Sequence, residues 1–334
     1  MSLNVEAIEE LPPEHSGSLT FHLPLELAAL ELAGASASVI AERTERRLQE
    51  AYASGLVDPP LYRWAVDHYR DVAADLLDDD PEVRGCAFAA IDTLGDGIVG
   101  AAFHGVIRLG YGLWRRRPDE VARGLAYLRS RRQVLTSSAG RADERSFDHP
   151  HLDGSTMPSV AELDGQTVFD VLNIAAGVPD ADALLPAGDG PVTAHRLMAG
   201  AAALVARNPL SFVAVHAVTG LHGLCEVQHA VFGPIDPYAD VTTLASARWW
   251  NAYAVALGAA SLVMAQYPPE AVPAVQARVD TVDRLLDAAI ASGETHDLKL
   301  VLALRRLQEF AVLDASDVLR VGSIKLASTE GVAS

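Results

Sequence analysis

The stretch AAFHGVIRLGYGLW, residues 101–114, decides the fold class. It is an apolar run that carries His104, Arg108 and Tyr111 at i, i+4 and i+7. A helix turns about 100° per residue, so these three positions share one face. One narrow polar stripe runs down a helix otherwise fit for a buried core. Buried polar groups are costly unless partnered, so the stripe is expected to face a partner network or a site.

The helical pattern extends outward over nearly the whole chain. Residues 23–35, LPLELAALELAGA, read as a helix with Pro24 in its first turn and Gly34 just past its end. Residues 37–55 follow and end at Gly55; residues 59–80 read as one helix opening after Pro59–Pro60. Further helices are expected over 81–95, 119–135, 193–208, 209–233, 245–267, 271–293 and 296–311. No convincing run of alternating strands appears. The expected architecture is an all-α, large single-domain helical bundle with a metal site between helices. The domain is expected over 15–320, between an N-terminal tail, 1–14, and a C-terminal tail, 321–334. Its polar stretch at about 136–165 reads as a long loop.

Composition limits the partners. Over 334 residues, 26 Lys and Arg stand against 44 Asp and Glu, a net charge of −18. That argues against nucleic acid or an anionic membrane as the partner. The basic clusters Arg115–Arg117 and Arg129–Arg132 read as solvated helix ends. Cys86 and Cys225 read as two buried thiols rather than a disulfide. The N-terminus is acidic with no apolar core of a signal peptide. No stretch reaches the ~18 uninterrupted apolar residues of a membrane span. A cytoplasmic protein is expected, acting on a small-molecule substrate.

The eleven histidines separate by context. His15, His68, His149, His151 and His195 sit in polar or mixed surroundings and read as exposed or singly hydrogen-bonded. His22, His104, His216 and His296 each sit in or at the mouth of an apolar helix. One such histidine is usually a satisfied core residue. Four on separate segments allow convergence, the way helical bundles build metal sites from facing helices. Lys299 is i+3 from His296 and so its neighbour on one face. A desolvated, neutral lysine can act as ligand, base or carbon dioxide acceptor; the plainer reading is a surface lysine. His222 is off the His216 face and reads as a substrate contact or a supporting residue behind the ligands. His229 reads as structural.

The segments HLPLELAALELAGAS, AAFHGVIRLGYGL, HAVTG and HDLKL, taken in order, resemble the questin oxidase-like family over roughly residues 15–310. The resemblance implies an all-helical fold and oxidative ring cleavage of anthraquinone-type polyketides. It also implies either an NADPH-dependent Baeyer–Villiger-type oxidase or a non-haem iron held by histidines and a carboxylated lysine. Carried over by motif, the ligands are His22, His104, His216, His296 and Lys299, with Fe(II) as the metal and O₂ as co-substrate. Arg108, Tyr111 and His222 are the expected catalytic residues: Arg108 and Tyr111 would orient a substrate oxyanion or donate a proton. No flavin or nicotinamide fingerprint is present; GDGIVG, residues 95–100, has glycines but no preceding strand. That favours a metal over NADPH for the oxygen chemistry. The remaining alternative is a non-catalytic helical binding protein.

Overall fold

The glycine and proline signals place the early elements as read. The computed structural model describes residues 8, 11–15, 19–135, 172, 191–265 and 280–333. Helix α1, Leu23–Leu32, carries Pro24 at its start, and the chain turns at Gly34 with φ +74°. Helix α2, Ala37–Ser54, is capped by the Ser36 hydroxyl, which accepts from the Val39 amide, and ends at Gly55 with φ +74°. Such positive φ favours glycine because no Cβ is present to clash.

Eleven further helices follow among the described residues. They are α3 Tyr62–His68, α4 Arg70–Asp75, α5 Pro81–Ile91, α6 His104–Trp114, α7 Pro118–Ser130 and α8 Ala194–Arg207. Then come α9 Phe212–Phe232, α10 Ala247–Ala265, α11 Val282–Ser292, α12 Thr295–Glu309 and α13 Ala315–Ala333. Strand structure among the described residues is one three-stranded antiparallel sheet of two-residue strands, β1 Glu14–His15, β2 Leu19–Thr20 and β3 Leu56–Val57, in the order β2-β1-β3. The chain is all-α, as expected. No helix among the described residues is long and apolar enough to cross a membrane.

Helices α6, α9 and α12 form the centre. Helix α9 is buried without a break from Ala214 to Gln228, so it has no solvated face and its polar residues must find partners inside. Contacts at both ends show that the three helices run in the same direction. His104 meets His216 and His216 meets His296 near their N-termini. Trp114 meets His222, and Arg306 bonds Glu226, toward their C-termini. The backbones of α6 and α9 touch at Gly110 and Gly223. A Cβ at Gly223 would lie 2.5 Å from the Val106 carbonyl oxygen, and one at Gly110 would lie 2.7 Å from the Gly223 Cα. Two effects oppose one another in Gly223→Ala: helix propensity favours alanine by about 1 kcal/mol, while forcing the backbones apart costs about 1–3 kcal/mol or more. Because the obstructing atoms are backbone and cannot rotate away, destabilisation is expected to win by about 2 kcal/mol. A urea midpoint at or above that of the unmodified protein would contradict this close crossing.

Several expectations need correction. The helix read from residue 101 begins at His104, because Ala101, Ala102 and Phe103 adopt φ of +50°, +53° and +65°. The helix read over 59–80 is broken at Tyr69 into α3 and α4. The domain edges also move. Glu14, placed in the N-terminal tail, is buried and receives two bonds from Arg131 and one from the Tyr127 hydroxyl. Arg131 is thus a clamp rather than a solvated helix end. Helix α13 crosses the expected boundary at 320, and Val321 and Leu326 are buried, so the expected C-terminal tail is helical through Ala333. Both cysteines are free, with Cys225 buried but Cys86 exposed. The 136–165 stretch, with His149 and His151, lies outside the described residues.

Candidate metal centre

All four singled-out histidines and Lys299 stand at helix beginnings. His22 is the N-cap residue of α1, His104 the first residue of α6, and His216 the fifth of α9. His296 and Lys299 are the second and fifth of α12. Tertiary packing brings them together. The His104 Nε2 lies 2.9 Å from the His22 Nε2 and 3.1 Å from the His216 Nε2. Ring centroids of His22 and His296 are 5.0 Å apart, and those of His216 and His296 are 5.3 Å apart. Ligand nitrogens of His22, His216 and His296 all lie within 4.8 Å of one another.

The hydrogen bonds behind the rings fix the protons. His104 Nδ1 lies 2.5 Å from the Ala101 carbonyl oxygen, and His216 Nδ1 lies 2.7 Å from the Phe212 carbonyl oxygen. A carbonyl only accepts, so each Nδ1 donates its proton. Burial, chiefly, holds both imidazoles well below the ordinary histidine pKa, with Lys299 adding to the effect. Each ring is neutral and has one proton, already used at Nδ1. Two bare Nε2 lone pairs therefore face each other at 3.1 Å. That contact is repulsive, and a proton or a shared cation between the two nitrogens would relieve it. Ligands bound at about 2.1 Å and about 90° apart, as in an octahedral site, lie about 3.0 Å from one another, close to the two short separations, whereas a tetrahedral site would set them about 3.4 Å apart. Backbone partners of this kind orient metal-binding imidazoles and set their tautomers.

Two further buried atoms of the cluster have no hydrogen-bond partner among the described residues: His296 Nε2 and Lys299 Nζ. Lys299 is fully buried, and burial lowers its amine to about 7, an effect that Glu26 and Glu294 partly oppose. His296 Nδ1 faces Glu294 Oε2 at 3.9 Å. Burial lowers the His296 pKa, against the pull of Glu294. His22 is likewise lowered well below the ordinary range, by burial first and then by Lys299.

These shifts dictate how metal-free protein responds to pH. A lysine whose folded pKa is lowered binds more protons unfolded than folded, so stability falls as pH falls between the two values. For Lys299 the window runs from about 10 down to about 7. The four imidazoles add a second loss below about 6.5, where the unfolded histidines charge and the folded ones resist. Thermal midpoints of metal-free protein should fall in both windows, and Lys299→Met should remove the upper one. An unchanged upper window in Lys299→Met would contradict the buried amine.

Supporting residues absent from the sequence reading surround the cluster. Glu26, fully buried on α1, accepts from Arg43, Arg47 and Thr295, tying α1 and α2 to the start of α12. Phe212, four residues before His216, lays its ring on that imidazole at 3.8 Å. The i, i+4 spacing was the available signal for Phe212. Nothing in the sequence marked Glu26 as buried.

The expected catalytic residues are placed differently. Arg108 donates two bonds to buried Glu120 and a third to the Tyr62 hydroxyl, so its guanidinium is committed to α7 and α3. Tyr111 faces His222, with ring centroids 5.6 Å apart, and its hydroxyl has no partner among the described residues. His222 lies 3.3 Å from Glu226, which Arg306 also binds. Tyr111 is two turns from His104, about 10 Å along the helix. Among the described residues, then, the stripe does not serve one site: His104 enters the cluster, Arg108 an ion pair, and Tyr111 a separate group with His222. A surface cavity of about 280 Å³ lined by Trp114, Glu226, His229 and Arg306 lies at this far end of the same helices. The glycines of GDGIVG serve packing: a Cβ at Gly95 would strike the Trp249 ring and one at Gly100 the Arg131 carbonyl.

Comparison with protein-family models, with curated proteins and with solved structures finds no match to this chain.

Proposed function

We propose that the protein is a cytoplasmic, oxygen-dependent oxidoreductase whose non-haem iron is held by His22, His104, His216, His296 and Lys299. Its substrate would be a cyclic, polyketide- or quinone-like molecule that it cleaves. The observation that carries the metal is the pair of bare Nε2 atoms facing each other at 3.1 Å between His104 and His216, joined by the orphaned His296 Nε2 and Lys299 Nζ. Imidazole and carboxylate ligands suit iron, and neither cysteine is among the clustered side chains. The reaction class and the substrate class rest on the resemblance of four segments to the questin oxidase-like family.

Bound Fe(II) would supply activation of O₂. The chain's own residues would do the rest. The Ala101 and Phe212 carbonyls hold two imidazoles in the tautomer that leaves Nε2 free. The beginnings of α1, α6, α9 and α12 converge on the cluster, and each helix start carries partial positive charge. That field opposes a cation held by neutral ligands alone and favours an anionic ligand beside it. With its amine lowered to about 7, Lys299 has a neutral fraction near neutral pH. Its nitrogen lone pair can add to the carbon of CO₂ and lose one proton, giving an N-carboxylate. The same field would hold an enolate or phenolate oxygen of the substrate.

The test is oxygen uptake by Fe(II)-loaded protein given a hydroxyanthraquinone, in bicarbonate buffer. The expected result is uptake coupled to loss of the quinone absorbance and absent from metal-free protein. Full iron loading with no oxygen uptake on any of a panel of phenolic and quinone rings would contradict an oxygenase.

A further inference from the structure

Access to the cluster is uneven. His104 and His216 are each only 1% exposed, at the close contact of α6 and α9. His22 and His296 are half-buried, and 24% of the His296 side chain is exposed, so the cluster approaches solvent on their side. On that side stands Phe212, the first residue of α9. Its ring centroid is 3.8 Å from that of His216, 5.6 Å from His296 and 6.1 Å from His104, yet Phe212 is 38% exposed. Leu210, just before it, is 44% exposed. One side chain thus touches three of the four imidazoles and solvent at once. A half-exposed phenyl ring turns about two side-chain bonds on a fast timescale, unlike the packed helices behind it.

We propose that the Phe212 ring is the gate through which small molecules reach the imidazole cluster, and that its size sets the aperture. This deepens the metal-site reading and rests on it for what lies behind the gate. Every substitution at Phe212 keeps the backbone carbonyl that accepts from His216 Nδ1, while the ring that packs on that imidazole is changed. A gate that does not touch the bound molecule changes entry and exit by the same factor and leaves affinity alone.

Cobalt-loaded protein with azide as the probe, followed by visible absorbance in stopped flow, separates these effects. In Phe212→Ala the on- and off-rates per bound cobalt should both rise about tenfold, so that their ratio is kept whatever the cobalt content. Phe212→Leu, which keeps more of the packing, should give a smaller rise, and Phe212→Trp should slow both rates. Rates per bound cobalt equal to those of the unmodified protein in Phe212→Ala and Phe212→Leu would overturn the gate. Metal-free protein gives an independent arm, in which diethyl pyrocarbonate modification of His22 and His296 is read peptide by peptide by mass spectrometry against exposed His68. Should the protein take up no cobalt, the metal reading fails and this arm decides the gate alone. Faster modification in Phe212→Ala and Phe212→Leu supports it, and an equal rate in both removes it.

Discussion

Lys299→Arg is expected to abolish metal binding, while Lys299→Glu keeps part of it. Arginine preserves charge and approximate length, so at a surface position the change would be nearly silent. Lys299 is not at the surface: it is fully buried, its amine has no hydrogen-bond partner among the described residues, and burial has already lowered that amine to about 7. Arginine does not deprotonate in proteins and cannot form a carbamate. It would place a permanent cation beside the imidazole cluster and any metal held there. Metal affinity should fall about 100-fold or more, beyond what losing a ligand's supporting partner costs. An unpaired buried charge should also lower stability by about 3–5 kcal/mol. Glutamate restores a carboxylate on a shorter arm and should hold metal more weakly than the unmodified protein but measurably. Equilibrium dialysis with Fe(II) under CO₂ reads both variants. Full metal in Lys299→Arg, with an unmodified amine in high-resolution density, would remove Lys299 from the site while leaving the histidines.

His104→Ala should cost metal affinity by a similar factor, about 100-fold or more, because His104 lies between His22 and His216 at 2.9 and 3.1 Å. Its effect on stability should depend on the metal. In metal-free protein the lost packing is offset by removing an opposed pair of lone pairs. In metal-loaded protein the same change also loses a ligand and the stability that binding adds. His195→Ala is the control, since the His195 Nδ1 bonds the Val312 carbonyl away from the cluster. His151→Ala, in the polar 136–165 stretch, should likewise keep full metal. Equal metal loss in His104→Ala and either control would show that apolar context does not sort the histidines.

The site was more legible in the sequence than the path of the backbone through it. His104 and His216 stood out because an imidazole in an apolar helix needs a partner, and that demand holds whatever the fold. The convergence of four such residues was expected from the family resemblance and not from their spacing, since His22 and His296 are separated by most of the chain and only long-range packing brings their rings to 5.0 Å. Lys299 was ambiguous because i+3 from His296 describes a surface lysine equally well; burial decided between the two. The left-handed turn at Ala101–Phe103 left no trace in the sequence. Ala-Ala-Phe favours helix locally, and the turn is held by packing such as the close approach of Gly100 to the Arg131 backbone. Arg108 and Tyr111 were read correctly as buried and wrongly as sharing one target. Helical periodicity gives the face of a residue but not the neighbour that covers each turn, and Glu120 takes Arg108 from a helix twelve residues on.

The central claim is that the imidazoles of His22, His104, His216 and His296 share one metal ion. X-ray absorption at the iron edge on Fe(II)-reconstituted protein, with iron content measured on the same sample, tests it most directly. The account predicts about one iron per chain, nitrogen and oxygen neighbours at about 2.1 Å, and the outer-shell scattering of several imidazole rings, all lost in His104→Ala. Substoichiometric iron, or an iron environment without imidazole scattering that is unchanged in His104→Ala, would contradict it.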